Sequence, residues 1–317
     1  MRSAEFGIRN AECGVRSAEW REVPAPLPRV TAEPIRARPR TFLALVVVVP
    51  SLRADGPGPR KVIQINREEI KPGRTATHVK AEEAYVRAVH GAKAPLYWVG
   101  LRSMTGPPEA WFLASYDTYA AYEAENDMLA KNAGLGRQLD AADEQDAAFR
   151  TGGGSIIAEL LENLSYRMRP TVQDMRYMTV VTFRIRPGFS QAFEEVRTLV
   201  KAAHEKANVD EHWAAYRVVS GMPAGTYLLL SGSTTLKDLD TDPHSQAYRD
   251  AVGDDGRAKQ QQFQREGLIA TDVATFEITP QMSSVPDEWT KARPDFWKAP
   301  APAKTAAKPA DAAKPGQ

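Results

Sequence analysis

The chain has 317 residues, with 41 Lys and Arg against 40 Asp and Glu and a formal net charge of +1. A balance this close to zero, with no Lys/Arg stripe interleaved with aromatics, leaves no electrostatic footprint for nucleic acid. The single cysteine, Cys13, excludes a disulfide framework, a cysteine-built metal site and a thiol nucleophile from the rest of the chain.

The chain begins with Arg2-Ser3-Ala4-Glu5-Phe6-Gly7-Ile8, followed at a period of seven by Arg9-Asn10-Ala11-Glu12-Cys13-Gly14-Val15 and by Arg16-Ser17-Ala18-Glu19-Trp20. Each full repeat carries a Gly and few apolar positions, so the period does not make a coiled coil. Residues 1–30 read as a spurious extension translated from upstream of the true start. Residues 31–54 carry Arg36, Arg38 and Arg40, then the apolar run Phe42–Val49, then Pro50-Ser51-Leu52-Arg53-Ala54. That is the layout of a secretory signal, which places the mature protein outside the cytoplasm, periplasmic or extracellular. The run falls short of the roughly 20 residues that a spanning helix needs, so no stable membrane span is expected in the mature chain. The plainer reading of four consecutive valines is a buried strand.

From residue 60 the text is written twice, as 60–165 and 175–280. Lys71-Pro72-Gly73 recurs as Arg186-Pro187-Gly188, Trp98 as Trp213, Arg102 as Arg217, Gly106 as Gly221 and Leu113 as Leu228, all at an offset of 115. The first copy predicts a strand over Val62–Arg67, a helix over Ala76–His90, strands over Tyr97–Met104 and Trp111–Tyr116, a broken helical stretch to Phe149, and a strand over Ser155–Glu159. Gly152-Gly153-Gly154 reads as a connector. The second copy predicts strands over Tyr177–Ile185, Trp213–Ser220, Thr226–Gly232 and Val273–Ile278. Phe193, Val196, Leu199, Val200 and Ala203 mark one face of a helix. Residues 236–267 are helical, broken near Gly253 and Gly256. The order βαββαβ is that of a ferredoxin-like sandwich, so the fold class is α+β with two tandem modules. Each would expose a bare sheet face, which two copies can bury against each other. Residues 281–317 are assigned to a disordered Ala/Pro/Lys-rich tail, since Ala299–Gln317 holds nothing apolar larger than alanine.

The phrases Phe183-Arg184-Ile185-Arg186-Pro187-Gly188-Phe189, Phe193-Glu194-Glu195 and Asp242-Pro243-His244-Ser245-Gln246-Ala247-Tyr248 resemble the dimeric α/β-barrel superfamily, in particular its antibiotic-biosynthesis-monooxygenase-like and NIPSNAP-like domains. The resemblance covers both copies. It implies two sheets closing into an intrachain, pseudo-dimeric barrel, with any ligand between sheet and helices. It implies no single chemistry, because that superfamily spans cofactor-independent oxygenases, haem enzymes, isomerases and members without known activity.

Two Trp/Arg pairs, Trp98/Arg102 and Trp213/Arg217, are the candidate ligand-binding residues. Residues four apart on a strand share a face, and an Arg beside an aromatic wall suits an anionic or enolate-like aromatic ligand. The plainer reading is a cation–π stack tying down loop carbonyls. His244, at the start of a predicted helix and near where the resembling oxygenases carry a pocket His, pairs with Arg217 as the candidate catalytic set; Leu129 stands at its place in the first copy. A solvated or capping His reads equally simply. His204 and His212 show no zinc spacing. Glu82-Glu83 and Glu194-Glu195 read as solvated helix faces, and no His/carboxylate metal cluster is evident, so no metal is assigned.

These features point to an exported barrel protein that binds a small apolar or aromatic ligand without catalysis. The alternative is a cofactor-independent oxygenase or isomerase of an aromatic or polyketide-like substrate. No cofactor is required by either, haem being a third reading. A small molecule is the expected partner, and a homodimer of the fused barrel stays open.

Overall fold

The strand β1 (Val62–Ile70) alternates: Ile63 and Ile65 turn into one apolar cluster, while Gln64, Asn66 and Glu68 turn the other way. Lys71-Pro72-Gly73 ends it, with Gly73 at φ 74° in the left-handed region that glycine enters without strain. There follow α1 (Thr75–Gly91), β2 (Val99–Ser103), β3 (Glu109–Tyr116), α2 (Tyr119–Lys131), α3 (Ala133–Asp146) and β4 (Arg150–Leu160). The Thr118 hydroxyl accepts from Ala121 N and the Asn132 side chain from Leu135 N, which fixes the starts of α2 and α3. The second half repeats the order as β5 (Tyr177–Ile185), α4 (Ser190–Ala207), β6 (Ala214–Ser220), β7 (Thr226–Ser233), α5 (Gln246–Glu266) and β8 (Leu268–Ile278). Gly253 interrupts α5 with φ 67° and ψ 177°. This computed structural model describes residues 59–168, 172–240 and 245–298. The N-terminal repeats, the signal-like segment, His244 and residues 299–317 lie outside the described residues.

All neighbouring strands are antiparallel, and they close in the order β1-β3-β2-β8-β5-β7-β6-β4. The two halves join edge to edge twice, through Leu101↔Ile278 between β2 and β8 and Ala158↔Val218 between β4 and β6. An eight-stranded closed barrel has no free edge. Its interior is packed with side chains, among them Ile65, Leu101, Ile156, Val180, Tyr216, Leu228 and Phe276. Among the described residues no helix is long and apolar enough to cross a membrane.

Three expectations are corrected. Gly152-Gly153-Gly154 is not a connector; it is part of β4, paired with Glu69, Glu68 and Arg67 of β1. A Cβ on Gly153 would come within 2.4 Å of Arg67 O, so the close approach of the two backbones requires glycine there. Residues 281–298, grouped with the tail by their position, are folded. They form α6 (Asp287–Ala292) and α7 (Pro294–Trp297), and Trp289 and Trp297 join the barrel's inner core with ring centroids 5.5 Å apart. Arg293 pairs with Asp174 at 2.8 Å and Trp297 Nε1 donates to Gln173 O at 2.9 Å, pinning the segment to the stretch that leads into β5. The offset between the halves also grows. It is 115 through β2 and β6, 117 at β3 and β7, and 118 at β4 and β8, as the matching registers Val62↔Tyr116 with Tyr177↔Ser233 and Val62↔Glu159 with Tyr177↔Glu277 show. Leu113 therefore corresponds to Leu230, and Arg150 to Leu268.

Candidate functional site

The side chains of β1 that point away from the barrel interior meet α1 and α3. Between β1, β3, β4 and these helices, with α2 closing one side, lies a cavity of about 740 Å³. Val89, Leu96, Trp98, Leu129 and Leu139 form one apolar patch of its wall. Phe112, Ala114 and Tyr116 of β3 extend the lining, and Gly152, Gly153 and Gly154 contribute no side chains to fill it. Tyr116 Oη donates to Glu125 Oε1 at 2.7 Å, and burial raises the Glu125 carboxyl above its usual range.

A second patch is charged. His78 and Glu82 lie one helical turn apart and so share the face of α1 turned to the sheet. Asp143 and Asp146 come from the end of α3, Glu68 from β1 and Arg150 from the start of β4. The Arg150 guanidinium gathers three carboxylates: Nη1 to Glu68 Oε1 at 2.8 Å, Nη2 to Asp143 Oδ1 at 2.6 Å and Nε to Asp146 Oδ2 at 3.1 Å. His78 Nδ1 lies 2.7 Å from Asp146 Oδ1, and since a carboxylate only accepts, Nδ1 carries the proton. The other ring nitrogen, Nε2, faces Glu68 Oε2 at 3.5 Å.

This patch is costly to bury. Glu68 Oε2, His78 Nε2, Glu82 Oε1 and Asp146 Oδ2 are shielded from solvent and have no hydrogen-bond partner. Burial, followed by the charges of Glu68 and Asp146, pushes the Glu82 carboxyl up to about 9. Burial also raises Glu68, against the pull of Arg150. Asp143 is held below its ordinary value, chiefly by the hydrogen bond from Arg150. One ligand-competent atom from each of Glu68, His78, Glu82 and Asp146 lies within 4.8 Å of the others, so these are the residues that could hold a metal ion.

Among its described residues the second half has no such patch. At the offset of 115, Glu68 corresponds to Phe183, His78 to Phe193 and Glu82 to Arg197; at 118, Arg150 corresponds to Leu268. Phe183 and Phe193 pack ring to ring at 5.4 Å, Phe193 meets Tyr227 at 4.3 Å, and the Arg197 guanidinium lies over Trp213 at 5.4 Å. The places of Glu68 and His78 are thus filled by rings in the second half, and that of Glu82 by a cation lying over an aromatic ring.

Of the residues singled out from the sequence, Trp98 lines the cavity and donates through Nε1 to Met282 O at 2.7 Å. Arg102 shares its face, turned away from the barrel interior, and pairs with Glu277. Trp213 is packed between Tyr166 and His204, each 5.0 Å away, and donates to Leu164 O at 2.8 Å. Arg217 pairs with Glu159 at 3.1 Å. Both Trp/Arg pairs therefore do share a face, and it is the outer, helix-side face; only Trp98 of the four lies on the cavity wall. His204 is held by Val200 O at 2.8 Å and Glu211 at 2.9 Å, and His212 by Gly232 O. Glu82 departs from its expected solvated face and is 4% exposed. A signal for its neighbours was present at three positions, Asn66/Val181, Glu68/Phe183 and His78/Phe193, where the first copy is polar and the second apolar; Glu82 itself stands opposite Arg197 and gave none.

No protein-family model matches the sequence, and no curated protein matches it. Solved structures do. A candidate monooxygenase of Fusobacterium nucleatum is 12% identical with a TM-score of 0.46, over 69% of this chain and 93% of its own. An anthrone oxidase-like protein is 11% identical with a TM-score of 0.44, over 69% and 92%. A chlorite dismutase mutant from Candidatus Nitrospira defluvii is 14% identical with a TM-score of 0.39, over 73% and 93%. At these levels the likenesses say nothing of this chain's chemistry.

Proposed function

We propose that this protein binds one small amphipathic, aromatic-sized molecule in the cavity of its first half. The observation that carries the reading is the contrast between the halves. A cavity of about 740 Å³ stands open beside Trp98 and Phe112 in the first half, where the second packs Phe183, Phe193, Tyr227 and Phe263 together. Apolar walls with a few convergent polar groups are the usual make-up of a small-molecule site. The two βαββαβ halves are read as tandem ferredoxin-like modules, each with strand order 4-1-3-2, which supports a pseudo-dimeric α/β barrel. Export rests on Arg36 to Ala54, and a cell-envelope binding protein is the role that fits with it.

An oxygenase or isomerase built on His244 and Arg217 gains no support from placement. Arg217 is engaged with Glu159 and is not among the cavity's lining residues, and His244 lies outside the described residues. The binding reading is tested by calorimetric titration of the full chain with 1-naphthol. Ala114 sits on the cavity wall, and Ala114→Phe fills it. Binding at one molecule per chain, weakened at least about tenfold by Ala114→Phe in a protein of unchanged circular dichroism, is the expected result. Equal binding by both proteins would place the ligand elsewhere.

A further inference from the structure

We propose that Glu68, His78 and Glu82, with Asp146 behind them, bind a divalent transition-metal ion of the Mn²⁺ or Fe²⁺ class at the charged end of this cavity. The inference goes beyond the small-molecule reading and stands whether or not the cavity takes an organic ligand.

Four observations converge on it. Geometry comes first: two atoms held about 2.1 Å from a common ion lie at most about 4.2 Å apart, and one candidate atom from each of the four residues lies within 4.8 Å of the others, so inward movement of these side chains would bring them round one ion. Second, the unused atoms are the ligand atoms. Glu82 is 4% exposed and its Oε1 has no hydrogen-bond partner; the same holds for His78 Nε2 and Glu68 Oε2. Buried polar atoms left unsatisfied in a native fold call for an occupant. Third, the partners that do exist leave those atoms free. Arg150 takes Glu68 through Oε1, and Asp146 Oδ1 takes the proton side of the His78 ring, which turns Nε2 towards the carboxylates. A carboxylate behind the distal nitrogen is the arrangement that fixes a metal-binding histidine. Fourth, the cluster sets the carboxyl groups of Glu68, Glu82, Asp143 and Asp146 against a single guanidinium, Arg150, an imbalance that a divalent cation redresses by taking the place of the proton on Glu82.

The donor set selects the ion. One imidazole nitrogen with carboxylate oxygens suits Mn²⁺ or Fe²⁺, and also admits Zn²⁺; Ca²⁺ and Mg²⁺ favour all-oxygen shells. The scaffold itself does not need Glu68 or His78, since Phe183 and Phe193 occupy the equivalent places in the second half.

The test is titration of the chelator-treated full chain with Mn²⁺, followed by the loss of the free-ion electron paramagnetic resonance signal. The expected result is one Mn²⁺ per chain, with affinity reduced at least about tenfold in His78→Gln and Glu82→Gln and unchanged in Glu83→Gln, whose carboxylate is exposed and paired with Arg87. Should the buried variants fail to fold, Mn²⁺-induced relaxation of the His78 ring protons in the unaltered chain carries the same test. Absence of stoichiometric uptake, uptake undiminished in Glu82→Gln, or unrelaxed His78 protons would overturn the proposal. Metal uptake without naphthol binding leaves this inference standing alone; naphthol binding without metal uptake leaves only the small-molecule reading.

Discussion

His78 Nδ1 and Asp146 Oδ1 lie 2.7 Å apart with both side chains essentially excluded from solvent, although 68 positions separate them in the chain. The contact ties α1 to the end of α3, and through Arg150 it reaches β4 and β1.

Removing one member of such a network leaves the others charged or polar and without partners in a buried site. Asp146→Ala is expected to strip His78 Nδ1 of its acceptor and Arg150 of one of its ion-pair partners, and to destabilise the fold by about 3 kcal/mol. Urea unfolding in the presence of a chelator measures this. A loss well under about 1 kcal/mol would mean that water enters the cluster and that it is far less buried than its geometry indicates.

Most of the architecture was legible in the sequence because it is written in periodicity. Tyr177–Ile185 is a strand from end to end, and Phe193, Val196 and Val200 mark the inner face of α4. The Trp/Arg pairs share a face, as alternation requires. What periodicity could not show was which surface that face meets, because that depends on closure of the barrel through β2–β8 and β4–β6, contacts between residues more than fifty positions apart. The charged patch was hidden for a local reason. Glu82 stands beside the exposed Glu83, and nothing in a helix text alone tells the buried carboxylate from the solvated one. The glycine triplet misled in the opposite direction: its role is set by the β1 backbone 2.4 Å from where a Gly153 Cβ would stand, which no local rule contains.

Glu125 supplies a pH dependence. Its carboxyl is raised above 4.5 by burial, with the hydrogen bond from Tyr116 acting the other way. A carboxyl that holds its proton more tightly folded than unfolded contributes stability that is fully present below about pH 4.5, its unfolded value, and is lost as pH rises through the folded value. Glu125→Gln removes that contribution, so the variant's stability should fall less than the wild type's as pH is raised from 4.5 towards neutrality. Chemical unfolding at a series of pH values gives the slope. Parallel profiles for the two proteins would show that Glu125 titrates alike in both states.

The Trp289 side chain enters the inner core from α6, yet its Nε1 is buried without a hydrogen-bond partner. Two substitutions separate these features. Trp289→Ala removes the ring from among the barrel's core residues, including Trp297 at 5.5 Å, and is expected to cost about 3–5 kcal/mol. Trp289→Phe keeps most of the apolar volume and removes a donor that makes no bond, so its cost should stay below about 1.5 kcal/mol. Thermal and urea unfolding of both variants decide the matter. If Phe costs as much as Ala, the indole N–H has a partner in solution, and α6 is held by that bond rather than by packing. If neither costs anything, residues 281–298 do not close the barrel core, and their assignment to the tail would stand after all.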